Sequence, residues 1–328
     1  MKSRPSPCLL KNKTVTTLCI LTLLAVRAFP YGDAGHKTVG AMADKLIAGS
    51  PNTVAHVRAL LGTETLEQAA IWADTVKIHF DPADPEMVAF TKANVHFPDN
   101  SGPHDHHAYH YTDIPIQETH YFAGSHGAQK IDVVHMIRNC IAILEGHSSK
   151  TNNPTNIPPK IALRLLAHFV GDVHQPLHVG AAYFASATSA VIVNPNTTAG
   201  TAEDHGGNKV SFHSTNLHSY WDTTAVLKAM DTAHAGTPEA FADFLIAHPA
   251  PGAASGSFMS GWAVKWANEV MPIATEAHNR LTFRTAPHGW NAKAADLPAY
   301  DAWATQQVTT ELNHAGFRLA EVLKKIWP

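Results

Sequence analysis

The segment from His168 to Asp222 constrains this chain more than any other. It opens HFVGDVHQPLH, passes through a loose loop, and closes with GGNKV and NLHSYWD. His168/Asp172 and His218/Asp222 are pairs with the same four-residue offset, and His178 stands between them. Residues four apart on a helix share a face, so each pair sets an imidazole beside a carboxylate. One such pair alone is more often a surface ion pair or a satisfied core histidine. Here Leu165, Leu166, Phe169, Val170 and Val173 surround His168 and Asp172 and turn the pair inward. A buried carboxylate needs a partner or a metal. Two imidazole–carboxylate pairs and a further histidine are the ligand chemistry of zinc.

The rest of the chain reads as helices around that segment. Residues 36–49 form a helix ending near Gly49, and Ser50-Pro51 opens another with a cap and a proline in its first turn. Thr65-x-x-Gln68 is a capping-box pattern that opens a third over LEQAAIWADTVK. Residues 80–127 are loop-rich. Residues 128–145 repeat Ile131, Val134, Ile137, Ile141 and Leu144 at helical spacing, and Gly146 ends them. Further helices are expected over 159–175, from Thr237-Pro238 through Ile246, over 258–280 with Trp262 and Trp266, and over 303–327. VIVN and KVSFH are the only short strand candidates. Residues 181–205, rich in Ala, Ser, Thr and Asn, read as an exposed insertion beside the site. Without repeats or a domain-dividing linker, the expectation is one mainly α domain over residues 31–328.

Residues 1–30 differ in character. Lys2, Arg4, Lys11 and Lys13 precede an apolar run from Val15 to Val26, followed by the small-residue pattern Val26-x-Ala28. This reads as a secretory signal, too short for a membrane span, cleaved between residues 28 and 31 to give a secreted or periplasmic protein. No later stretch is long and apolar enough to cross a bilayer. The formal charge of −3 includes five Lys/Arg and no acid from this leader, so the mature chain is nearer −8. A metal-free binder of polyanions would be basic. An acidic protein acting on phosphates needs cations from elsewhere, and a divalent cluster supplies them. Histidine is abundant, 23 against 24 Lys plus Arg. Cys8 and Cys19 fall in the leader. Cys140, on an apolar helical face, is left alone and excludes an internal disulfide.

Three further segments can supply ligands: His36 in YGDAGH, Asp74 in WADTVK and His110 in AYHYTDIP. With the central stretch they form an ordered series, carried by WAD, HFVGDVHQPLH, GGNK and NLHSYWD. The series resembles the S1/P1 nuclease family, in the superfamily that includes the zinc-dependent phospholipases C, from Tyr31 to the last helix. The resemblance implies a compact α-helical fold with a cleft holding three Zn2+. It assigns Asp74, His110, His168 and Asp172 to one zinc, and His178, His218 and Asp222 to a second. The third would take His36, a bridging Asp172, and the amine and carbonyl of the mature N-terminal residue. Tyr31 stands where the family usually has Trp, and cleavage after Ala28 would leave Phe29-Pro30 ahead of it. His96 in NVHFPDN is the alternative to His110, which HYTDIP favours. His104, His106 and His107 crowd the same loop and read as a solvated cluster.

The same resemblance implies hydrolysis of single-stranded DNA and RNA to 5′-nucleotides, with 3′-nucleotidase activity. Asp172 would hold the attacking hydroxide between zincs. Lys77, one helical step beyond Asp74, would offset charge developing on the phosphate. Asn208 in GGNK matches a family residue that contacts phosphate, and a turn residue is the plainer reading. Tyr111 would stack on a base and Asp113 would hydrogen-bond its edge, an arrangement that favours unpaired strands. A zinc-dependent phospholipase C is the nearest alternative. Asp222 in place of Glu as the last ligand and the short Tyr31–His36 spacing argue against it. A non-catalytic periplasmic zinc-binding protein would leave Lys77 and Asn208 unexplained. No protein partner is evident.

Overall fold

The computed structural model of the protein describes residues 32–94 and 106–328. The expected leader over 1–30, Tyr31, His96 and His104 lie outside the described residues. The chain runs through α1 (Gly32–Ile47), α2 (Pro51–Leu61), α3 (Leu66–Ala69), α4 (Trp72–Ile78) and α5 (Pro85–Ala93). Strand β1 (Ile114–Pro115), α6 (Val133–Leu144) and α7 (Pro159–Asp172) follow. Short strands β2 (Gly180–Ala181), β3 (Tyr183–Phe184), β4 (Ala202–Glu203), β5 (Val210–Phe212) and β6 (Thr215–Asn216) lead into α8 (Leu217–Ser219) and a π-helical turn, Tyr220–Thr224. Helices α9 (Ala225–Thr232), α10 (Pro238–Ala247) and α11 (Trp262–Asn279), the hairpin β7 (Leu281–Ala286) and β8 (Gly289–Ala294), and α12 (Leu297–Ile326) close the chain. The protein is mainly α, in one compact domain, as the helical periodicities predict.

Helix α7 is central because it is apolar all round: every residue from Ile161 to Asp172 is buried. Its buried arginine, Arg164, is balanced by Glu64 and Glu86, each 2.7 Å away, and lies over the Trp72 ring. Helix α6 packs along α7, and α1 packs against α3, α10 and α12. The α1–α3 approach is backbone to backbone at Gly40, where a Cβ would come within 2.4 Å of Leu66 O. Cys140, Trp262 and Trp266 lie in the core. Among the described residues no helix is long and apolar enough to cross a membrane.

Several elements differ from their sequence expectations. The stretch LEQAAIWADTVK is two helices, α3 and α4, joined at Ala70–Ile71. The Thr65/Gln68 capping box forms as expected, whereas Ser50 makes no side-chain cap. Helix α6 begins only at Val133, because the Asp132 carboxylate accepts from His135 N and sets the start. The loop-rich region contains α5, capped by Asp84. The last helix begins at Leu297, capped by Asp296.

Strands are more numerous than expected. The alternation in LTFRTA and WNAKA forms β7 and β8, antiparallel from Leu281↔Ala294 to Ala286↔Gly289, in a sheet ordered β6-β5-β8-β7. The 181–205 insertion is not simply exposed. Ala181–Phe184 are buried, and Trp290 of β8 stacks on Phe184 at 4.0 Å. Its return leg is pinned by Asp204, fully buried, which accepts from Ala182 N and lies 2.9 Å from His278 Nε2. His278 Nδ1 also faces an acceptor, Ala274 O at 2.8 Å. Both ring nitrogens therefore donate; burial lowers the imidazole pKa, but Asp204 and Ala274 O raise it further.

Candidate metal centre

Eight side chains from seven segments converge at the C-terminal end of α7. His36 comes from α1, Asp74 from α4, and His110 from the segment before β1. His168 and Asp172 occupy the last turn of α7, and His178 ends the turn that follows it. His218 lies on α8 and Asp222 on the π-helical turn, a wider helical form that recurs at functional sites.

Asp172 is the hub. Its Oδ2 lies 3.0 Å from His110 Nδ1 and 3.2 Å from His168 Nε2. Its Oδ1 lies 3.3 Å from His36 Nε2 and 3.7 Å from His178 Nδ1. His110 Nδ1 and His168 Nε2 are 3.0 Å apart, and each is 3.8 Å from Asp74 Oδ1. His178 Nε2 and His218 Nε2 lie 3.7 and 3.3 Å from the Asp222 carboxylate. Three sets thus bring ligand atoms within 4.8 Å of one another: His36, Asp74 and His168; His110, His168 and Asp172; His178, His218 and Asp222.

The backbone selects which ring nitrogen faces inward. His168 Nδ1 donates to Ala70 O at 2.7 Å, His178 Nδ1 to His110 O at 2.7 Å, and His218 Nδ1 to Gly206 O at 2.8 Å. Each bond leaves Nε2 with its lone pair toward the centre, the orientation metal-ligating histidines take from outer partners. The Ala70 carbonyl is available because α3 ends there. Gly206 can present its carbonyl because it lacks a side chain: at its φ of +55, a Cβ would lie 2.1 Å from Leu177 O.

The donor set fits divalent cations. Asp172 Oδ1, Asp222 Oδ2 and His178 Nε2 are buried without a hydrogen bond, and bound cations would give all three a partner. Burial opposes ionisation of Asp172, but His168, His178 and His110 hold its carboxyl well below the usual range. Burial lowers His36, His110 and His218, keeping them neutral and able to ligate. His168 and His178 are raised despite burial, chiefly by Asp172, and His178 reaches about 9. A metal would displace protons from these two.

The remaining candidates lie around this centre. Lys77 Nζ is 2.9 Å from Asp74 Oδ1, with only 8% of its side chain exposed. Asn208 is exposed, and its Nδ2 donates to His205 O at 3.0 Å within the GGNK turn. Tyr111 is half-buried and Asp113 buried. His106 is buried rather than solvated, edge-on to Phe90 at 4.9 Å.

Sequence reasoning missed three residues. Glu203 and His205, from the end of the insertion, meet Asp113 with ligand atoms within 4.8 Å. Burial first, then Glu203, pushes the Asp113 carboxyl well above the usual range. Nothing local in the sequence pairs positions so distant. Gln175 stands inside HQPLH, bonded to Asp222; its place between ligands was the available signal.

A family profile described as S1/P1 Nuclease matches residues 31–328. The chain is similar to Endonuclease 1 of Arabidopsis thaliana, 33% identical over 134 residues that cover 37% of this chain and 36% of that protein. It is similar to Endonuclease 3 of the same plant, 26% identical over 225 residues, 66% of this chain and 62% of that protein. These matches span less than two thirds of either plant protein. Nuclease P1 of Penicillium citrinum is 26% identical over 314 residues, 90% of this chain and 97% of that protein.

Proposed function

The chain belongs to the S1/P1 nuclease family, and from that premise we propose that it is a zinc-dependent phosphodiesterase with 3′-nucleotidase activity. Its substrates in this reading are single-stranded DNA and RNA, released as 5′-nucleotides. The proposed domain is residues 31–328, preceded by a secretory leader cut between 28 and 31. The product would be secreted or periplasmic.

The observation that carries the reading is the division of the Asp172 carboxylate. One oxygen faces His110 and His168, and the other faces His36 and His178. A carboxylate divided in this way suits a bridge between two cations. Asp74, His110, His168 and Asp172 would hold one Zn2+; His178, His218 and Asp222 a second; His36, Asp172 and the terminal amine and carbonyl of Tyr31 a third. Zinc so held acidifies water and polarises phosphoryl oxygens.

The protein's own groups supply orientation and charge. Lys77, beside Asp74, would donate to a non-bridging phosphate oxygen where negative charge develops. Asn208 uses one amide proton in its turn and keeps the second on an exposed face for a phosphate oxygen. Tyr111 offers a ring on which an unpaired base can stack. Asp113, whose pKa is raised beside Glu203, would carry a proton and donate to an acceptor on the base edge.

The test is cleavage of single-stranded DNA and phosphate release from 3′-AMP by the purified protein, as prepared, after chelation and after zinc add-back. Zinc-restored activity on both, with about three zincs per chain, is expected. Full zinc occupancy without either activity would overturn the nuclease reading. Turnover of phosphatidylcholine instead would assign the chain to lipid chemistry.

A further inference from the structure

Asp222 has two carboxylate oxygens in unlike settings. Oδ1 accepts from Gln175 Nε2 at 2.6 Å and also lies 3.7 Å from His178 Nε2. Oδ2 makes no hydrogen bond, is buried, and lies 3.3 Å from His218 Nε2. Gln175 is itself fully buried. Its other tip atom, Oε1, accepts from Leu177 N and caps the turn Pro176–His178. One side chain therefore grips both the segment that carries His178 and the carboxylate 47 positions further along the chain.

The chemistry of the tip explains the residue. A primary amide is neutral, with a donor and an acceptor on one planar group. The donor satisfies one oxygen of a buried carboxylate, and the acceptor satisfies a backbone N–H at the start of a tight turn. An aliphatic side chain would satisfy neither, leaving two buried polar groups without partners.

We propose that Gln175 is a positioning residue that occupies Oδ1 of Asp222, so that Asp222 presents Oδ2 alone to a metal held with His178 and His218. This rests on the metal-centre reading and deepens it. Without the amide, the carboxylate can rotate, and both the direction and the denticity of the ligand are lost. Outer partners of this kind set metal affinity by about 10–100-fold.

The experiment compares the wild-type protein with Gln175→Leu and Gln175→Asn. The first removes donor and acceptor at similar volume. The second keeps the amide but shortens it by a methylene, so it cannot reach both partners. Zinc per chain is counted during competition with a chelator of known affinity, and the cobalt-substituted proteins give ligand-field spectra. Folding is read separately from circular dichroism and thermal unfolding of the metal-free proteins.

The expected result is loss of one metal per chain at chelator concentrations the wild type withstands. That site should weaken by about 10–100-fold in Q175L and by less in Q175N. The cobalt spectrum should change while the other metals stay in place. Wild-type chelator resistance and an unchanged cobalt spectrum in both folded variants would overturn the proposal and leave Gln175 as a turn cap only. If Q175L fails to fold, Q175N decides by the same two readouts. A wild-type protein whose metal count is unaffected by His218→Ala would instead overturn the metal reading on which this rests.

Discussion

His36 Nε2 lies 3.3 Å from Asp172 Oδ1, on the carboxylate oxygen that His168 does not face. The two residues come from α1 and α7, and their meeting depends on Gly171. A Cβ there would lie 2.7 Å from His36 Nδ1. His36 has little room to retreat, because its ring stacks on His168 at 3.7 Å.

Gly171→Ala therefore tests His36 as a ligand without touching it. Alanine favours the helix by about 1 kcal/mol over glycine, which offsets part of the packing strain. The expected outcome is a folded protein with one metal fewer per chain, measured by elemental analysis beside thermal unfolding. A full metal complement would show that His36 is not needed to hold one.

Asp172→Asn should do more damage. An amide cannot offer two anionic oxygens to the groups on either side. The loss in kcat/KM should exceed the ~10–100-fold typical of an outer partner, with at least two metals weakened. Loss of a single metal would argue against a bridge.

Lys77→Met separates two roles for the lysine. If Lys77 stabilises charge on the phosphate, kcat should fall by about 100-fold with the metal content intact. A fall in metal content instead would show that its contact with Asp74, at 2.9 Å, serves to hold that carboxylate.

Asp113→Asn predicts a pH-dependent gain in stability. Burial and Glu203 raise the folded-state pKa of Asp113 well above its unfolded value. A carboxyl raised on folding contributes fully below the unfolded pKa, near 4, and that contribution is lost as pH rises towards the folded value. Each pH unit in that window costs the wild type up to about 1.4 kcal/mol. The asparagine variant carries no such cost. Its melting temperature should exceed the wild type's at pH 7 and converge with it near pH 4. A constant difference across that range would rule this out.

Zinc uptake should release protons and strengthen with pH. Burial lowers the His178 pKa, but Asp172, Asp222 and His110 O raise it to about 9 in the metal-free protein. Metal and proton compete for the same nitrogen. Apparent affinity should rise up to tenfold per pH unit for each proton displaced, levelling off near pH 9. Chelator competition between pH 6 and 9 measures this, and a flat profile would show that His178 is already unprotonated.

Much of the fold was legible because its causes are local. The Thr65/Gln68 capping box and the Ile137–Leu144 periodicity act within a few residues, so they survive into the structure. The β7–β8 hairpin was harder to read. Its alternation is short, and much of what holds it is tertiary: Trp290 of β8 is buried with Phe184 stacked on it and Ser189 O accepting from its indole. His106 was misjudged for the same reason, since its polar neighbours in sequence say nothing of Phe90.

At the centre the division is similarly physical. Helical spacing alone put His168 beside Asp172 and His218 beside Asp222, because four residues make about one turn. Composition alone required cations for an acidic chain to act on phosphates. Which carboxylate oxygen faces which imidazole was decided by tertiary packing, which brings His36 to Oδ1 from α1 and His110 to Oδ2 from the segment before β1. Which nitrogen points inward was decided by carbonyls of Ala70, His110 and Gly206. The arrival of Glu203 at Asp113 and of Gln175 at Asp222 depends on how the insertion and the π-helical turn close over the site. These contacts join residues tens of positions apart, and only the folded backbone brings their donors and acceptors within hydrogen-bonding reach.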